Sequence, residues 1–245
     1  MSISASQVKE LREMSGVGMM ECKKALVETN GDLQQALDLL RANSSLKAEK
    51  KASRVAADGA VKVAETPSYV SLVEINSETD FAAKDAQFKD FTRAVADHLV
   101  SSQIDSIEVL NEAFDAQRQT LIQSIGENIQ LRRLSTLETS DGGCIGSYIH
   151  HDGRLAALVS LNVDNQDLAK DIAMHVSATN PSCLTSDGMD SELLAREKAI
   201  YIAQAEESGK DAAIMEKMVE GKVKRFLSEV TLVSQAFVKN PDQSI

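Results

Sequence analysis

One segment, residues 74–85, constrains the fold more than any other part of the 245-residue chain: Glu-Ile-Asn-Ser-Glu-Thr-Asp-Phe-Ala-Ala-Lys-Asp. Before it, residues 69–75 are alternating and β-branched apolar residues, which predicts a strand. After it, large apolar residues recur three and four positions apart, which predicts a helix. These residues are Phe88, Phe91, Val95 and Leu99. The chain must therefore pass from strand to helix through a polar turn that carries one large aromatic residue, Phe81.

Phe81 has two interpretations, which the local pattern leaves close to even. It either covers a hydrophobic core or projects into a pocket of another protein. The helix that follows already carries enough apolar side chains for a core, so Phe81 is not needed there. Asp80, directly before it, has the residue type and position of a helix N-cap, which the sequence alone favours. A capping residue can also contact a partner.

The charge balance and the cysteines narrow the functional classes. The 26 lysines and arginines against 37 aspartates and glutamates give a net charge of −11. Such a chain is not expected to bind nucleic acid directly, because phosphates require a basic face. The three cysteines show no CxxC spacing, so neither a disulfide framework nor a zinc site is predicted. Without a signal-peptide pattern or a membrane-spanning run, the expected location is the cytoplasm, with no membrane contact.

The pattern of periodic segments predicts an α+β fold that begins with a small helical domain. In residues 1–54, three short helices are separated by Gly16 and Gly18 and by the turn at 30–32. The bundle proper is expected to end near Ser44. The basic stretch at 46–54 is expected to be a solvated linker helix, since no aromatic residue is interleaved for base stacking.

The remainder is predicted to form a duplicated α+β core with small antiparallel sheets and an inserted arm. Residues 55–140 are one core unit, and residues 141–186 with 230–245 are the second. Residues 187–229 predict an antiparallel helical hairpin, or coiled coil, for dimerisation or docking. Within these units we expect a helix over 106–129 and strands over 131–137, 145–150, 155–163 and 229–238, the last ended by Asn240-Pro241-Asp242.

The duplication rests on a match between two helices. Residues 91–99 and 168–176 share their apolar positions, and each carries a histidine at the same place, His98 and His175. Because one structural role would explain both histidines, metal ligation is disfavoured.

Motifs for covalent chemistry are missing from the chain. There is no GxxxxGK[ST], GxGxxG or GxSxG sequence, no histidine pair at i, i+4, and no distinctive pair of carboxylates. Cys22 lies beside lysines but has no visible base, so a small buried thiol is expected. No metal, no cofactor and no enzymatic activity are therefore predicted.

Two motifs resemble signatures of the bacterial elongation factor Ts family. They are Leu-Arg-Glu-Met-Ser-Gly-Val-Gly-Met-Met-Glu-Cys-Lys-Lys-Ala-Leu at 11–26 and Glu-Ile-Asn-Ser-Glu-Thr-Asp-Phe-Ala-Ala-Lys at 74–84. The resemblance covers nearly the whole chain. It implies a guanine-nucleotide exchange factor that binds elongation factor Tu in its GDP-bound and nucleotide-free states and catalyses no covalent reaction. GDP release is accelerated, and GTP binding displaces the factor.

The resemblance also implies roles for particular residues. Thr79, Asp80, Phe81 and Ala82 would dislocate Mg²⁺ from the partner, with Phe81 entering an apolar crevice between partner helices. Contacts to the partner would come from a second set of residues: Met19, Met20, Lys23, Ile125, Gly126 and His150. From the residues alone, Met19 and Met20 could equally be core methionines and Lys23 a solvated lysine, and His150 could be a solvated turn residue. The arm at 187–229 would support a homodimer or docking.

The chain departs from the family pattern at two points. Valine is usual where Ala82 stands, so a weaker apolar contact is expected there. Family members of this type usually continue past the equivalent of Ile245, so the second core unit is expected to be truncated.

Two other functions remain open at this point. The bundle also resembles ubiquitin-associated domains, which suggests a non-catalytic adaptor. A small enzyme whose site is not visible in the sequence is the other alternative.

Overall fold

The computed structural model describes residues 3–245, in which nine α-helices combine with three small antiparallel sheets. The helices are α1 Ala5–Ser15, α2 Met19–Glu28, α3 Leu33–Lys51, α4 Asp80–Lys84, α5 Ala86–Ser102, α6 Ile107–Ile125, α7 Gln166–Thr179, α8 Ser191–Glu206 and α9 Ala212–Val230. The strands are β1 Asp58–Thr66, β2 Tyr69–Ser77, β3 Gln130–Glu138, β4 Cys144–Ile149, β5 Ala156–Leu161, β6 Ala236–Phe237 and β7 Asn240–Ser244. The predicted α+β class is confirmed. Residues 1 and 2 of the predicted first domain lie outside the described residues.

Helices α1, α2 and α3 pack around a small core of their own. Ser4 and Gln7 form a capping box at the start of α1, and Gly16 ends that helix with a φ of 68° that suits glycine. The buried side chains are Leu11, Val17, Cys22, Ala25, Leu26, Ala36, Leu37 and Leu40.

The predicted end of the bundle near Ser44 falls inside a helix, and the last buried residue of the bundle core is Leu40. Helix α3 continues without a break to Lys51, and Ser44 and Ala48 are both buried along it. The basic stretch is therefore largely the last turns of α3, and it packs against α6. A buried small residue every fourth position lets the charged residues between them face solvent.

The first core unit is a three-stranded meander covered by helices. Strand β2 lies between β1 and β3, and both pairings are antiparallel. Strand β1 was not predicted from the sequence, because small residues interrupt its alternation of apolar and polar side chains. The core beneath the sheet is built mainly from α5, α6 and the central strand, with these fully buried side chains: Val73, Ile75, Phe88, Val95, Leu99, Leu110, Ile122 and Ile129.

The second core unit is the β4–β5 hairpin with α7 packed on it. Both units therefore run from an antiparallel hairpin into helices, although the duplication itself stays a prediction. The two matched histidines differ in environment. His175 is fully buried and bonded to Gln235 at 2.9 Å, whereas His98 is half-buried with its ring edge-on to Phe114.

The last segment differs from its prediction. Helix α9 extends to Val230, and a 3-10 turn occupies Leu232–Ser234. Only Ala236–Phe237 of the expected 229–238 strand is extended, and Asn240–Ser244, expected to end the strand, forms β7. Hydrogen bonds to distant residues decide this path, since the Leu232 N–H donates to the Cys183 carbonyl.

Candidate functional site

The turn at 78–82 is ordered by the threonine within it. The Thr79 hydroxyl accepts a hydrogen bond from the Ala82 N–H at 3.3 Å and so caps the five-residue helix α4. The expectation that Asp80 is the N-cap is therefore wrong, because Asp80 is the first residue inside the helix. The Asp80 side chain therefore does not form the capping hydrogen bond of α4.

Asp80 instead forms an ion pair one helical turn further on. Its carboxylate accepts a hydrogen bond from the Lys84 ammonium at 2.6 Å. This hydrogen bond lowers the pKa of Asp80 below its ordinary value of 3.8. The carboxylate therefore stays ionised at neutral pH, and its charge lies beside Phe81.

Phe81 projects away from the protein. Its side chain is 81% exposed, while the core positions that follow are filled by Phe88 and Phe91. The interpretation of Phe81 as a core residue is wrong. A large aromatic residue at this exposure is available to bury its ring in another molecule.

Ala82 points the other way from its neighbour. It is only 4% exposed, so a direct apolar contact between this side chain and a partner is not what the geometry provides. A residue at this position acts through the packing of α4 against the core.

The segment at 125–128 lies directly against the Thr79 turn. Helix α6 ends at Ile125, and Gly126 follows in a left-handed conformation with a φ of 89°. The Glu127 carboxylate then accepts two hydrogen bonds from Thr79, one from its backbone N–H at 2.9 Å and one from its hydroxyl at 2.7 Å. The structure thus brings Ile125 and Gly126 next to the Phe81 turn, and Ile125 is itself half-buried against the core.

The N-terminal bundle meets the same region. Ser124 donates a hydrogen bond to the Gly16 carbonyl at 2.9 Å, and Lys51 donates one to the Gly126 carbonyl. Burial lowers the pKa of Lys51 below its ordinary value of 10.5. The loop that starts α2 therefore lies beside the end of α6.

The methionines at the start of α2 are on the surface. Met19 and Met20 are 56% and 67% exposed, and Lys23 on the same helix is also exposed. Their interpretation as core methionines is wrong, because Cys22, Ala25 and Leu26 fill the core side of α2. Cys22 is fully buried, as expected.

His150 lies in the turn between β4 and β5. Its Nδ1 is 3.1 Å from an Asp152 carboxylate oxygen. A hydrogen bond from the Arg154 backbone N–H lowers the pKa of Asp152, and the neighbouring His150 ring acts in the same direction. The turn is joined to the first sheet by a bond from the Val61 N–H to the Gly153 carbonyl at 2.8 Å and by an ion pair of Arg154 with Asp58.

A groove of about 700 Å³ runs between this turn and α4. Its lining includes Asp80, Ala83, Lys84 and Lys89 from α4 and α5, together with Asp58 of β1 and Asp152, Gly153 and Arg154 of the turn. The turns that contain Phe81 and His150 therefore border one depression, although they are about 70 residues apart in sequence. Asp80, next to Phe81, and Asp152, two residues after His150, both line it.

The surface around Phe81 offers an apolar contact bordered by charged side chains. In the part of the chain that the structure describes, no three His, Cys, Asp or Glu side chains are placed to hold a metal ion. Among the described helices, none combines the length and the apolar character that crossing a membrane requires. The site presents an exposed aromatic ring on a hydrogen-bonded turn, flanked by charged side chains.

Sequence reasoning missed two features of the site. The contact of Glu127 with Thr79 joins residues 48 positions apart, and the ion pair of Arg154 with Asp58 joins residues from separate core units. In the sequence, Glu127 could have been found only through its position directly after the predicted contact residues Ile125 and Gly126.

Comparison with known proteins agrees with this geometry. The family model described as "Elongation factor TS" matches residues 78–245. The elongation factor Ts of Hahella chejuensis (strain KCTC 2396) is 49% identical over 247 residues, covering 100% of this chain and 85% of the relative. That of Teredinibacter turnerae (strain ATCC 39867 / T7901) is 49% identical with the same coverage, and that of Thioalkalivibrio sulfidiphilus (strain HL-EbGR7) is 46% identical, covering 100% and 86%. This chain therefore belongs to the elongation factor Ts family.

Proposed function

We propose that this chain is a guanine-nucleotide exchange factor for elongation factor Tu. It binds the GDP-bound partner, accelerates GDP release and is displaced when GTP binds. Membership of the elongation factor Ts family supports this role. The observation that carries it is Phe81, exposed on a turn that two hydrogen bonds connect to Glu127.

In the proposed action, the free energy gained when this chain contacts the partner is used to weaken the partner's hold on GDP. GDP is held in such partners by backbone amides around its phosphates and by Mg²⁺ bridging them. Phe81 enters an apolar crevice of the partner, where a buried aromatic anchor contributes a few kcal/mol. This insertion displaces the helix next to the Mg²⁺ site, so the nucleotide dissociates faster.

The neighbours of Phe81 support it in different ways. Thr79 caps α4, and Asp80 presents a charge that Lys84 partly neutralises. Ala82 packs inward, so it contributes by seating the helix. The Mg²⁺ belongs to the partner's nucleotide, and this chain needs no cofactor of its own for the exchange.

The other contacts are proposed around the same face. His150 approaches the phosphate-binding side of the partner, and Ile125 and Gly126 form a second contact. Met19, Met20 and Lys23 of the bundle hold the partner's nucleotide-binding domain. Their exposure supports this role for the bundle residues.

We further propose the division into domains on which this action rests. A bundle similar to ubiquitin-associated domains at 1–54 carries one contact surface, and core units at 55–140 and at 141–186 with 230–245 carry the others. The hairpin at 187–229 acts as a docking or homodimer arm in the manner of a coiled coil. Family membership does not favour the alternative of a non-catalytic adaptor.

Thermodynamic linkage gives the proposal a reciprocal consequence. If the factor weakens nucleotide binding to the partner by a given ratio, the nucleotide weakens binding of the factor by the same ratio. GTP at cellular excess then releases the factor. An exchange factor of this type therefore acts repeatedly without being consumed.

The test is release of a fluorescent GDP analogue from elongation factor Tu, with unlabelled nucleotide in excess. We expect micromolar amounts of this chain to accelerate release, and Phe81→Ala to lower that acceleration by about tenfold to a hundredfold, the range for loss of an aromatic anchor. The thermal melt of Phe81→Ala should be nearly unchanged because the ring is 81% exposed.

Leu184→Ala is the matched control, since Leu184 is 68% exposed and lies outside the proposed site. It should leave the exchange rate unchanged. Absence of acceleration by the unaltered chain would sink the exchange function. A large change in the melt of Phe81→Ala would mean that the ring stabilises this fold rather than contacting a partner.

A further inference from the structure

The double hydrogen bond between Glu127 and Thr79 joins two segments of the site. One oxygen of the carboxylate accepts from the Thr79 N–H at 2.9 Å, and the other accepts from the Thr79 hydroxyl at 2.7 Å. The same hydroxyl accepts from the Ala82 N–H and so caps α4. One carboxylate therefore holds the residue that starts the helix bearing Phe81.

Glu127 is itself held from both sides. The carbonyl of Gly126 accepts a hydrogen bond from the Lys51 ammonium, and the Asn128 N–H donates to the Glu78 carboxylate at 2.6 Å. Asn128 is fully buried. The backbone on which Glu127 stands is thus fixed by neighbours that do not depend on Glu127.

The same loop is tied to the N-terminal bundle. The Asn128 side-chain amide donates to the carbonyls of Ala52 and Arg54 at 3.4 and 2.8 Å, directly after α3. Arg54 also lies 3.5 Å from the Glu78 carboxylate. The end of α3, the loop after α6 and the turn before α4 therefore form one hydrogen-bonded junction.

We propose that Glu127 is a positioning residue for nucleotide exchange. It holds Thr79, and with it α4, in the orientation that projects Phe81 before the partner arrives. The proposal rests on the exchange function proposed above. A pre-ordered turn does not have to lose conformational freedom when the partner binds, so more of the contact free energy is available for displacing the nucleotide.

The alternative is that Glu127 only stabilises the fold. The two roles differ in what they predict. Thr79 is exposed and Glu127 is half-buried, and both hydrogen bonds between them are open to solvent, so water can replace these bonds without unfolding the core. Loss of a positioning residue should mobilise the turn and slow exchange, while loss of a merely stabilising residue should lower the melting temperature and leave the exchange of folded protein unaltered.

The first experiment titrates elongation factor Tu loaded with fluorescent GDP against Glu127→Ala. We expect the maximal release rate to fall by about tenfold, the size expected for loss of charge-assisted hydrogen bonds. The half-saturating concentration should change by less than about twofold, because the bundle contacts remain. Glu127→Gln keeps one acceptor oxygen, so its maximal release rate should lie between those of Glu127→Ala and the unaltered chain. Glu112→Ala, an exposed glutamate on α6, is the control and should match the unaltered chain.

A double variant separates positioning from a direct contact. If Glu127 acts through the turn, the double variant should release GDP less than about twofold more slowly than Phe81→Ala alone, since there is no ring left to position. Multiplicative effects would overturn the proposal. So would a full maximal rate for Glu127→Ala when the unaltered chain is active, a result that leaves the exchange function intact.

Hydrogen–deuterium exchange supplies a readout that does not need the partner. In the free protein, the amides of residues 79–82 should exchange at least about tenfold faster in Glu127→Ala, with α5 and α7 unchanged. Equal protection in both proteins would overturn the positioning role. If the unaltered chain failed to accelerate GDP release, the exchange function would fall while the ordering of the turn would still be decided by this measurement.

Discussion

At the scale of single residues, Glu74 shows how a local irregularity builds an ion-pair cluster. Its side chain is 15% exposed and contacts both Arg132, at 2.9 Å, and Arg133, at 2.5 Å. Successive strand residues normally point to opposite faces of a sheet. The register shift between Glu74 and Ile75 leaves Arg132 as the extra residue of a β-bulge, which lets both arginines reach one carboxylate.

Glu74 should therefore make stability depend on pH. Burial by itself would raise the pKa of Glu74, but the hydrogen bonds from Arg133, Arg132 and Asn76 together with the charge of Arg133 outweigh it, and the pKa lies below the ordinary 4.5. Glu74→Gln should lower the free energy of unfolding by about 1–2 kcal/mol at pH 7. A carboxyl group whose pKa is lower in the folded than in the unfolded protein stabilises the fold at pH values above its unfolded pKa. This stabilisation is lost as the pH falls through its folded pKa.

Urea unfolding at pH 7 and at pH 3 measures the difference in the free energy of unfolding between the unaltered chain and Glu74→Gln. This difference should be smaller at pH 3, because the Glu74 carboxyl group takes up its proton. Glu138→Gln, an exposed glutamate on β3, should have no effect at either pH. An equal loss for Glu74→Gln at both values would show that the ionised form is not what stabilises the sheet.

Phe81 and Ala82 show what a single position in the sequence does and does not reveal. The surplus of apolar residues in α5 correctly indicated that Phe81 was not needed in the core. The inward orientation of Ala82 was not evident, because in a five-residue helix too few positions exist to establish a periodicity.

At the scale of elements, the contact between β4 and α7 depends on one glycine. A Cβ atom on Gly146 would lie 2.2 Å from the backbone carbon of Ala169 and 2.4 Å from the nitrogen of Lys170. Helix α7 therefore packs directly on the strand backbone at this point. No flexible side chain is available to yield, so any larger residue must push the helix away.

Gly146→Ala should accordingly lower the free energy of unfolding by about 1–3 kcal/mol, the usual cost of overpacking. Gly221→Ala is the matched control, since Gly221 lies inside α9 with open space around it. There alanine should be neutral or stabilise by up to about 1 kcal/mol through helix propensity. Equal effects of the two variants in chemical denaturation would contradict the close packing.

Most elements of this fold could be anticipated from periodicity and capping residues. The three bundle helices and the paired helices of 187–229 were predicted from apolar spacing, and the structure places Ser4, Asp32 and Asp190 at the N-caps of α1, α3 and α8. Strand β1 was missed, and the strand expected at 229–238 was wrong. Small residues interrupt the alternation of β1, and in the 229–238 segment hydrogen bonds to Cys183 and Leu184 decide the conformation.

At the scale of the whole molecule, the hairpin of α8 and α9 is set apart from the two hydrophobic cores. Neither described core cluster contains a residue from these helices, and within the pair only Ala205 and Val219 are buried. At its base, the Ser182 N–H donates to the Val230 carbonyl at 2.8 Å. The chain thus leaves and re-enters the second core unit at neighbouring points.

Replacing residues 190–229 with a short Gly-Ser linker should leave the rest folded. We expect one cooperative thermal transition, shifted by less than about 5 °C, since about 1 kcal/mol corresponds to 2–4 °C in a protein of this size. Circular dichroism would follow the melt, with the unaltered chain as reference. Loss of the cooperative transition would show that the hairpin belongs to the folding unit of the core.

The sequence by itself determined the class of fold, the strand–turn–helix order around Phe81 and, through two motifs, the family. These features depend on residues near one another in the chain, where spacing and capping chemistry act directly. Only the tertiary structure decided that Glu127 holds Thr79, that Ala82 faces inward and that the turns of Phe81 and His150 border one groove. Such contacts join residues about 50–70 positions apart, and they exist only after the sheets and helices have packed.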